Sequence, residues 1–241
     1  MLSSKFKTEI GDLREVETFQ KFNPNHDEIG RFATAMGGAG VAIPINPDSY
    51  VESIFPENFH EQLTGMERIA VANYQMQAFR PINEFLRSDG ELGFASSQEM
   101  TPEFIKQVIG HIDSAIAKAP LVMPDNTAVY RVADVGMIQA MENGEIPSVF
   151  TDKGYTSTTM KDYSNVDSAQ YKRFEDYGRT IVRIDLGSHK SGLAVNSIHP
   201  NTNFVDSQYL DEREFILPRG TKFQFTGYDE ANKVYVMKRL T

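Results

Sequence analysis

Between Pro56 and Pro120 apolar residues recur at three- and four-residue spacing, whereas from Ala128 onwards they fall into short runs divided by turn residues. Helices are therefore expected first and strands after them, the order of an α+β fold rather than of alternating strand-helix units. Thr64-Gly-Met-Glu67 has the form of a capping box, and Met66, Ile69, Ala70, Asn73, Tyr74 and Gln77 lie on neighbouring turns behind it. Pro81 suits a first-turn position and predicts a second, shorter helix, Ile82 to Arg87, closed by Ser88-Asp-Gly90. Thr101-Pro102-Glu103 opens the clearest helix, in which Phe104, Val108, Ile112 and Ile116 recur every four residues until Pro120.

Past Pro124 the period changes. Ala128-Val-Tyr-Arg-Val132 predicts a short strand, and Asp134 can cap a helix through Met137, Ile138 and Met141 that Gly144 and Pro147 end. Gly154-Tyr-Thr-Ser-Thr-Thr159 is a strand-like run of hydroxyls which, taken alone, reads as a Thr-rich edge strand. The polar stretch 160–178 predicts a loop with a helical piece. Thr180 to Leu186 and Gly192 to Ile198 are apolar strand candidates, and 199–208 is a loop. Tyr209 to Phe225 reads as strand, turn and strand, with Lys233 to Arg239 pairing back across Gly227 to Asn232. No internal repeat is present.

Residues 1–48 hold neither period and are expected to form a flexible tail or linker, leaving 49–241 as the folded domain. A short helix between Lys5 and Phe22 fits a narrow apolar stripe. Gly37-Gly-Ala-Gly40 lacks both a preceding strand and a following Lys-Ser/Thr pair, so it reads as a joint rather than a phosphate loop.

The chain has 241 residues, 40% of them hydrophobic, enough to bury a substantial core. It contains no cysteine, which excludes disulfides, thiolate nucleophiles and Cys-ligated zinc together. With 33 acidic against 24 basic residues, its field disfavours broad binding to nucleic acid. No apolar run is long enough to span a bilayer, and the N-terminus has no signal-like apolar segment, so a soluble, cytoplasmic protein is expected. The five histidines show no ligand spacing, and no metal is expected.

Candidate chemistry begins at Glu212-Arg-Glu214. On a strand the two carboxylates would share one face, roughly 7 Å apart, with Arg213 and Phe215 on the other. Two like charges beside an apolar run either form a solvated acidic face or are held there for a task. Arg131 stands in the middle of an apolar strand, where a guanidinium either reaches the surface or meets an anion, and its fork suits a diphosphate.

Arg131, Ser157-Thr-Thr159 and Glu212-x-Glu214 together resemble the Arg-Ser-Glu class of mono-ADP-ribosyltransferases. The resemblance covers about residues 55–241 and also takes in Ile82-Asn-Glu-Phe-Leu-Arg87 and Glu212-Arg-Glu-Phe-Ile-Leu-Pro-Arg-Gly-Thr221. It implies two small β-sheets packed perpendicularly, flanked by N-terminal helices, with NAD as substrate in the cleft between them. Glu214 matches the catalytic glutamate that holds the ribose 2'-hydroxyl, and Ser157 the serine that orients it. Thr158 and Thr159 would shape the pocket floor; Thr159 stands where the family often has Ser. Arg131 matches the arginine on the cofactor's phosphates, with Tyr130 and Tyr155 counted among the cofactor-binding residues. Tyr155 would stack on nicotinamide or pack under the sheet.

Glu212 matches the family's marker for arginine acceptors, and Phe204 and Tyr209 fall in the acceptor-recognition loop, where loop packing is their alternative role. Arg173 or Arg179 would add a second phosphate contact. The resemblance thus implies a toxin-like mono-ADP-ribosyltransferase that moves ADP-ribose from NAD to a protein arginine with release of nicotinamide. An NAD glycohydrolase and a non-catalytic virion-associated binding protein are the alternatives. Phe22 to Ala33 resembles a linker of bacteriophage head-morphogenesis proteins, so the expected setting is the cytoplasm of a bacterial host. The expected partner there is a host protein, modified by a monomeric enzyme.

Overall fold

The computed structural model describes residues 58–91, 101–120, 123, 127–161, 174, 176–195 and 213–241. The expected tail, Phe204, Tyr209, Glu212 and Arg173 lie outside the described residues.

Helix α1 (Gly65–Asn73) starts where the capping box predicts: Glu67 N–H donates to Thr64 Oγ1 at 3.2 Å and Thr64 N–H to Glu67 Oε2 at 2.6 Å. The same carboxylate accepts from Ser114 Oγ at 2.6 Å and from Lys118 Nζ at 2.8 Å, both on helix α3 (Pro102–Lys118). Burial opposes ionisation of Glu67, but these bonds outweigh it and hold its pKa down at about 2. One side chain therefore caps α1 and clamps it to α3. Helix α3 buries Ile105, Val108, Ile109, Ile112, Ala115 and Ile116, a stripe of alternating three- and four-residue steps that leaves Phe104 only partly covered.

Pro81 does not begin a separate helix. Helix α1 runs through a π-helical turn, Tyr74–Ala78, directly into α2 (Phe79–Arg87). The wider turn lies just ahead of Pro81, which brings no N–H and whose ring would crowd the carbonyl four residues back in a regular helix. Helix α4 (Val135–Glu142) is capped by Asp134, whose Oδ1 accepts from Met137 N–H at 3.1 Å.

The strands are β1 (Ala128–Asp134), β2 (Val149–Asp152), β3 (Thr156–Thr159), β4 (Arg179–Asp185), β5 (Leu193–Ala194), β6 (Glu214–Leu217), β7 (Thr221–Asp229) and β8 (Val234–Arg239). They form one hydrogen-bonded sheet in the order β2-β7-β8-β4-β1-β3-β6-β5, where the resemblance implied two. All pairs are antiparallel except β4 with β8. The seam is narrow: β1 and β3 meet at one register pair, Tyr130 with Thr159, whereas β1 and β4 share seven. Two parts can turn against each other about such a seam while the ladder stays continuous. Strand β3 lies between β1 and β6 with all four residues buried, so the hydroxyl run is interior and not an edge strand. The β7–β8 hairpin forms, but β7 runs on through Gly227 to Asp229, residues expected in the turn, with a register shift between Phe225 and Gly227.

A single large cluster joins the buried faces of α1–α4 to the sheet through Val129, Ile184, Phe215 and Ile216. At Gly192 a Cβ would stand 2.4 Å from Phe215 Cζ, so the approach of the chain to β6 admits only glycine there.

Candidate active site

Strand β6 begins at Glu214 because Arg213 adopts φ +50°, the left-handed region that ends regular strand alternation. Glu212, expected on the same face as Glu214, lies outside the described residues. Glu214 is 3% exposed and pairs with Thr159 across β3, while Ser157 pairs with Ile216. Cross-strand partners share a face, as do residues two apart, so Ser157, Thr159 and Glu214 present their side chains to the same side.

On that side lies a buried polar chain from the helices. Tyr155 N–H donates to Asn83 Oδ1 at 2.8 Å, Asn83 Nδ2 donates to the Tyr74 hydroxyl at 2.9 Å, and that hydroxyl meets Ser157 Oγ at 3.4 Å. Burial pushes the Tyr74 hydroxyl far above its ordinary pKa, and the charge of Glu214 pushes the same way. Tyr74 is fully buried, with its ring edge-on to Tyr155 at 5.5 Å and to Phe79 at 6.5 Å. Gly154 is tied to this chain, because a Cβ there would lie 2.7 Å from Asn83 Oδ1.

A separate cavity of about 490 Å³, whose lining residues do not include Tyr74, Ser157 or Glu214, is walled by Arg87, Arg131, Lys153 and Arg179 against two acids, Asp134 and Asp152, with Thr156, Val182, Ile184 and Phe223 among its apolar and hydroxyl walls. Asp152 organises the cationic wall. Its carboxylate takes a bidentate pair from Arg87 at 2.9 Å each, and it also accepts from Gly154 N–H and Thr156 Oγ1 at 2.9 Å. Arg131 has no such pairing: its Nε is buried without a hydrogen-bond partner among the described residues. Burial lowers the pKa of this guanidinium, Asp152 opposes the shift, and the charges of Arg87 and Arg179 reinforce it. An anion entering the cavity would relieve that repulsion and supply the missing acceptor.

Several expected site residues lie elsewhere. Tyr155 is 1% exposed and donates its hydroxyl to Ile109 O at 3.1 Å and Asp113 Oδ1 at 2.7 Å, so it packs under the sheet and is not among the cavity's lining residues. Tyr130 faces away from Arg131, as strand alternation requires, and packs with Ile181 and Val234. Thr158 donates to Phe215 O at 2.6 Å, and Thr159 Oγ1 accepts from Lys161 N–H at 3.1 Å. Both brace the strand; Thr156 is the residue of this run that lines the cavity. Arg179 does line it, 3.7 Å from Asp134.

Sequence reasoning missed Tyr74, Asn83, Arg87 and Asp152 as site residues. Asn83 and Arg87 stand four apart and so share a helix face, a signal that was available. Tyr74 looked like one more core position, and nothing around Asp152 distinguished it from a turn aspartate. Among the described residues no group of three His, Asp or Glu could hold a metal ion, and no helix is long and apolar enough to cross a membrane.

The chain matches the ADP-ribosyltransferase exoenzyme family over residues 53–240 and belongs to it. It is thus a transferase that takes NAD as substrate and moves ADP-ribose to an acceptor, within a toxin-related family. Solved structures share its fold. The ADP-ribosyltransferase toxin Plx2a from Paenibacillus larvae is similar at 20% identity and TM-score 0.54, covering 81% of this chain and 96% of its own. The Clostridium limosum C3 exoenzyme is similar at 17% identity and TM-score 0.55, covering 85% and 97%. An ADP-ribosyltransferase from Clostridium botulinum is similar at 17% identity and TM-score 0.54, covering 86% and 98%. None of the curated proteins matches the sequence.

Proposed function

We propose that this protein is an arginine-directed mono-ADP-ribosyltransferase in which Arg131, with Arg87 and Arg179, binds the diphosphate of NAD and Glu214 faces the nicotinamide ribose. The observation that carries the cofactor half is the half-buried Arg131, whose buried Nε lacks an acceptor among the described residues in a cavity walled by further cations. Cleavage of the nicotinamide–ribose bond sends its electron pair out with nicotinamide and leaves positive charge on the ribose. A carboxylate at Glu214 stabilises that charge more in the transition state than in the ground state. The acceptor half rests on Glu212, two residues ahead of Glu214. A guanidinium attacks through nitrogen only as it loses a proton, and a second carboxylate orients the group and takes that proton as the new C–N bond forms. The protein acts on a bacterial host protein, as a monomer in the host cytoplasm, after being carried there in a virion, a setting that rests on the likeness of Phe22 to Ala33 to a bacteriophage linker.

The test is Glu212→Gln beside the unaltered enzyme, with labelled NAD and candidate lysates, the modified side chains being identified by mass spectrometry. Arginine adducts from the unaltered enzyme, and loss of transfer with NAD hydrolysis retained in the variant, are expected. ADP-ribose on other residues would overturn the acceptor, and NAD consumed with no protein adduct would make the enzyme a glycohydrolase.

A further inference from the structure

We infer that Tyr74 and Asn83 are positioning residues: they form a directed hydrogen-bond chain that fixes the Ser157 hydroxyl so that its proton points to Glu214. The inference rests on Glu214 being the carboxylate that faces the ribose, as proposed above.

Direction follows from what each group can donate. The backbone N–H of Tyr155 can only donate, so the Asn83 atom 2.8 Å away is an acceptor, its carbonyl oxygen. The amide nitrogen of Asn83 is thereby turned to Tyr74, 2.9 Å away, and a nitrogen carrying two protons donates. The Tyr74 oxygen, having accepted that bond, has its own proton to give, and Ser157 Oγ at 3.4 Å is the hydroxyl beside it. Ser157 is then an acceptor toward Tyr74, and its proton is left for another group. The carboxylate sharing that face of β3 and β6 is Glu214. Every link is buried: Tyr74 is 0% exposed, Asn83 and Ser157 7%, and Glu214 3%, so no bulk water competes to reorient the hydroxyls.

The local fold is built to hold this chain. Tyr74 opens the π-helical turn, a local irregularity of the kind frequent at functional sites. Gly154 is kept free of a side chain where Asn83 passes, and the edge-on contact with Tyr155 fixes the plane of the Tyr74 ring. A tyrosine serving only to fill the core would need neither the amide at Asn83 nor a serine hydroxyl at its tip.

Two substitutions break the chain in different ways. Tyr74→Phe keeps the ring and removes the hydroxyl. Asn83→Asp keeps the shape but replaces the donor with an acceptor, so that the Tyr74 proton turns away from Ser157. Each is expected to lower kcat for NAD cleavage roughly tenfold, the effect of one buried hydrogen bond, with KM for NAD little changed. The acid limb of the kcat/KM pH profile should move to higher pH, because the carboxylate loses a donor that favours its charged form. In a Ser157→Ala background Tyr74→Phe should lower kcat no further, since its effect passes through that hydroxyl. A full additional loss in that background, or a folded Tyr74→Phe enzyme with unaltered kcat and pH profile, would overturn the inference. Glu214→Gln separates the two levels. If it is inactive while Tyr74→Phe and Asn83→Asp turn over normally, only the positioning chain is wrong; if it is active, the assignment of Glu214 fails.

Discussion

Glu67 sets a sharp test of the packing that carries Tyr74 to the site, because its carboxylate is buried, caps α1 and receives Ser114 and Lys118 from α3. Its pKa falls from 4.5 to about 2 in the folded protein, which at about 1.4 kcal/mol per pH unit corresponds to about 3 kcal/mol of stability. A carboxyl with a depressed folded pKa contributes that stability fully above its unfolded value and loses it as the pH falls through the folded one. The window therefore lies between pH 4.5 and 2. Glu67→Gln retains an oxygen for the cap and removes the titrating charge. Urea unfolding of the two proteins from about pH 2.5 to about pH 7 gives two stability curves. Their difference isolates Glu67 from other carboxyls held low in the fold, such as Asp152. The unaltered protein should lead by a constant margin above pH 4.5, and the margin should shrink by up to about 3 kcal/mol toward pH 2. A margin that stays constant through this window, or widens as the pH falls, would refute the role given to this carboxylate.

Arg131→Lys keeps the charge and loses the planar fork, and should weaken NAD binding roughly tenfold in calorimetry at unchanged thermal stability. Unaltered affinity would make Arg131 structural. Gly154→Ala places a Cβ 2.7 Å from Asn83 Oδ1 and should destabilise the fold by about 1–3 kcal/mol in urea unfolding. It should also lower NAD turnover, because the displaced Asn83 no longer directs Tyr74.

Much of the fold was legible because the responsible signals are local. The capping box at Thr64-x-x-Glu67, Pro102 in the first turn of α3 and the Asp134 cap act on their nearest neighbours, and each stands where the pattern put it. Arg131 and Glu214 were singled out by the residues around them only as far as two readings each, the surface or a partner, and their burial was decided by the packing: Glu214 is buried and Arg131 half-buried. Other properties depended on which surfaces meet across the sheet and helices. The hydroxyl run became interior once β3 lay between β1 and β6, and Tyr155 turned into the core where Asp113 accepts a hydrogen bond from its hydroxyl. Tyr74, Asn83 and Ser157 meet across sequence separations of 9 and 83 residues, which no short-range spacing encodes. Strand β6 begins only at Glu214, behind the left-handed backbone of Arg213, and Glu212 lies outside the described residues. Periodicity specifies which face of an element is apolar, while the direction of a buried hydrogen bond is decided only when its donors and acceptors are packed against one another.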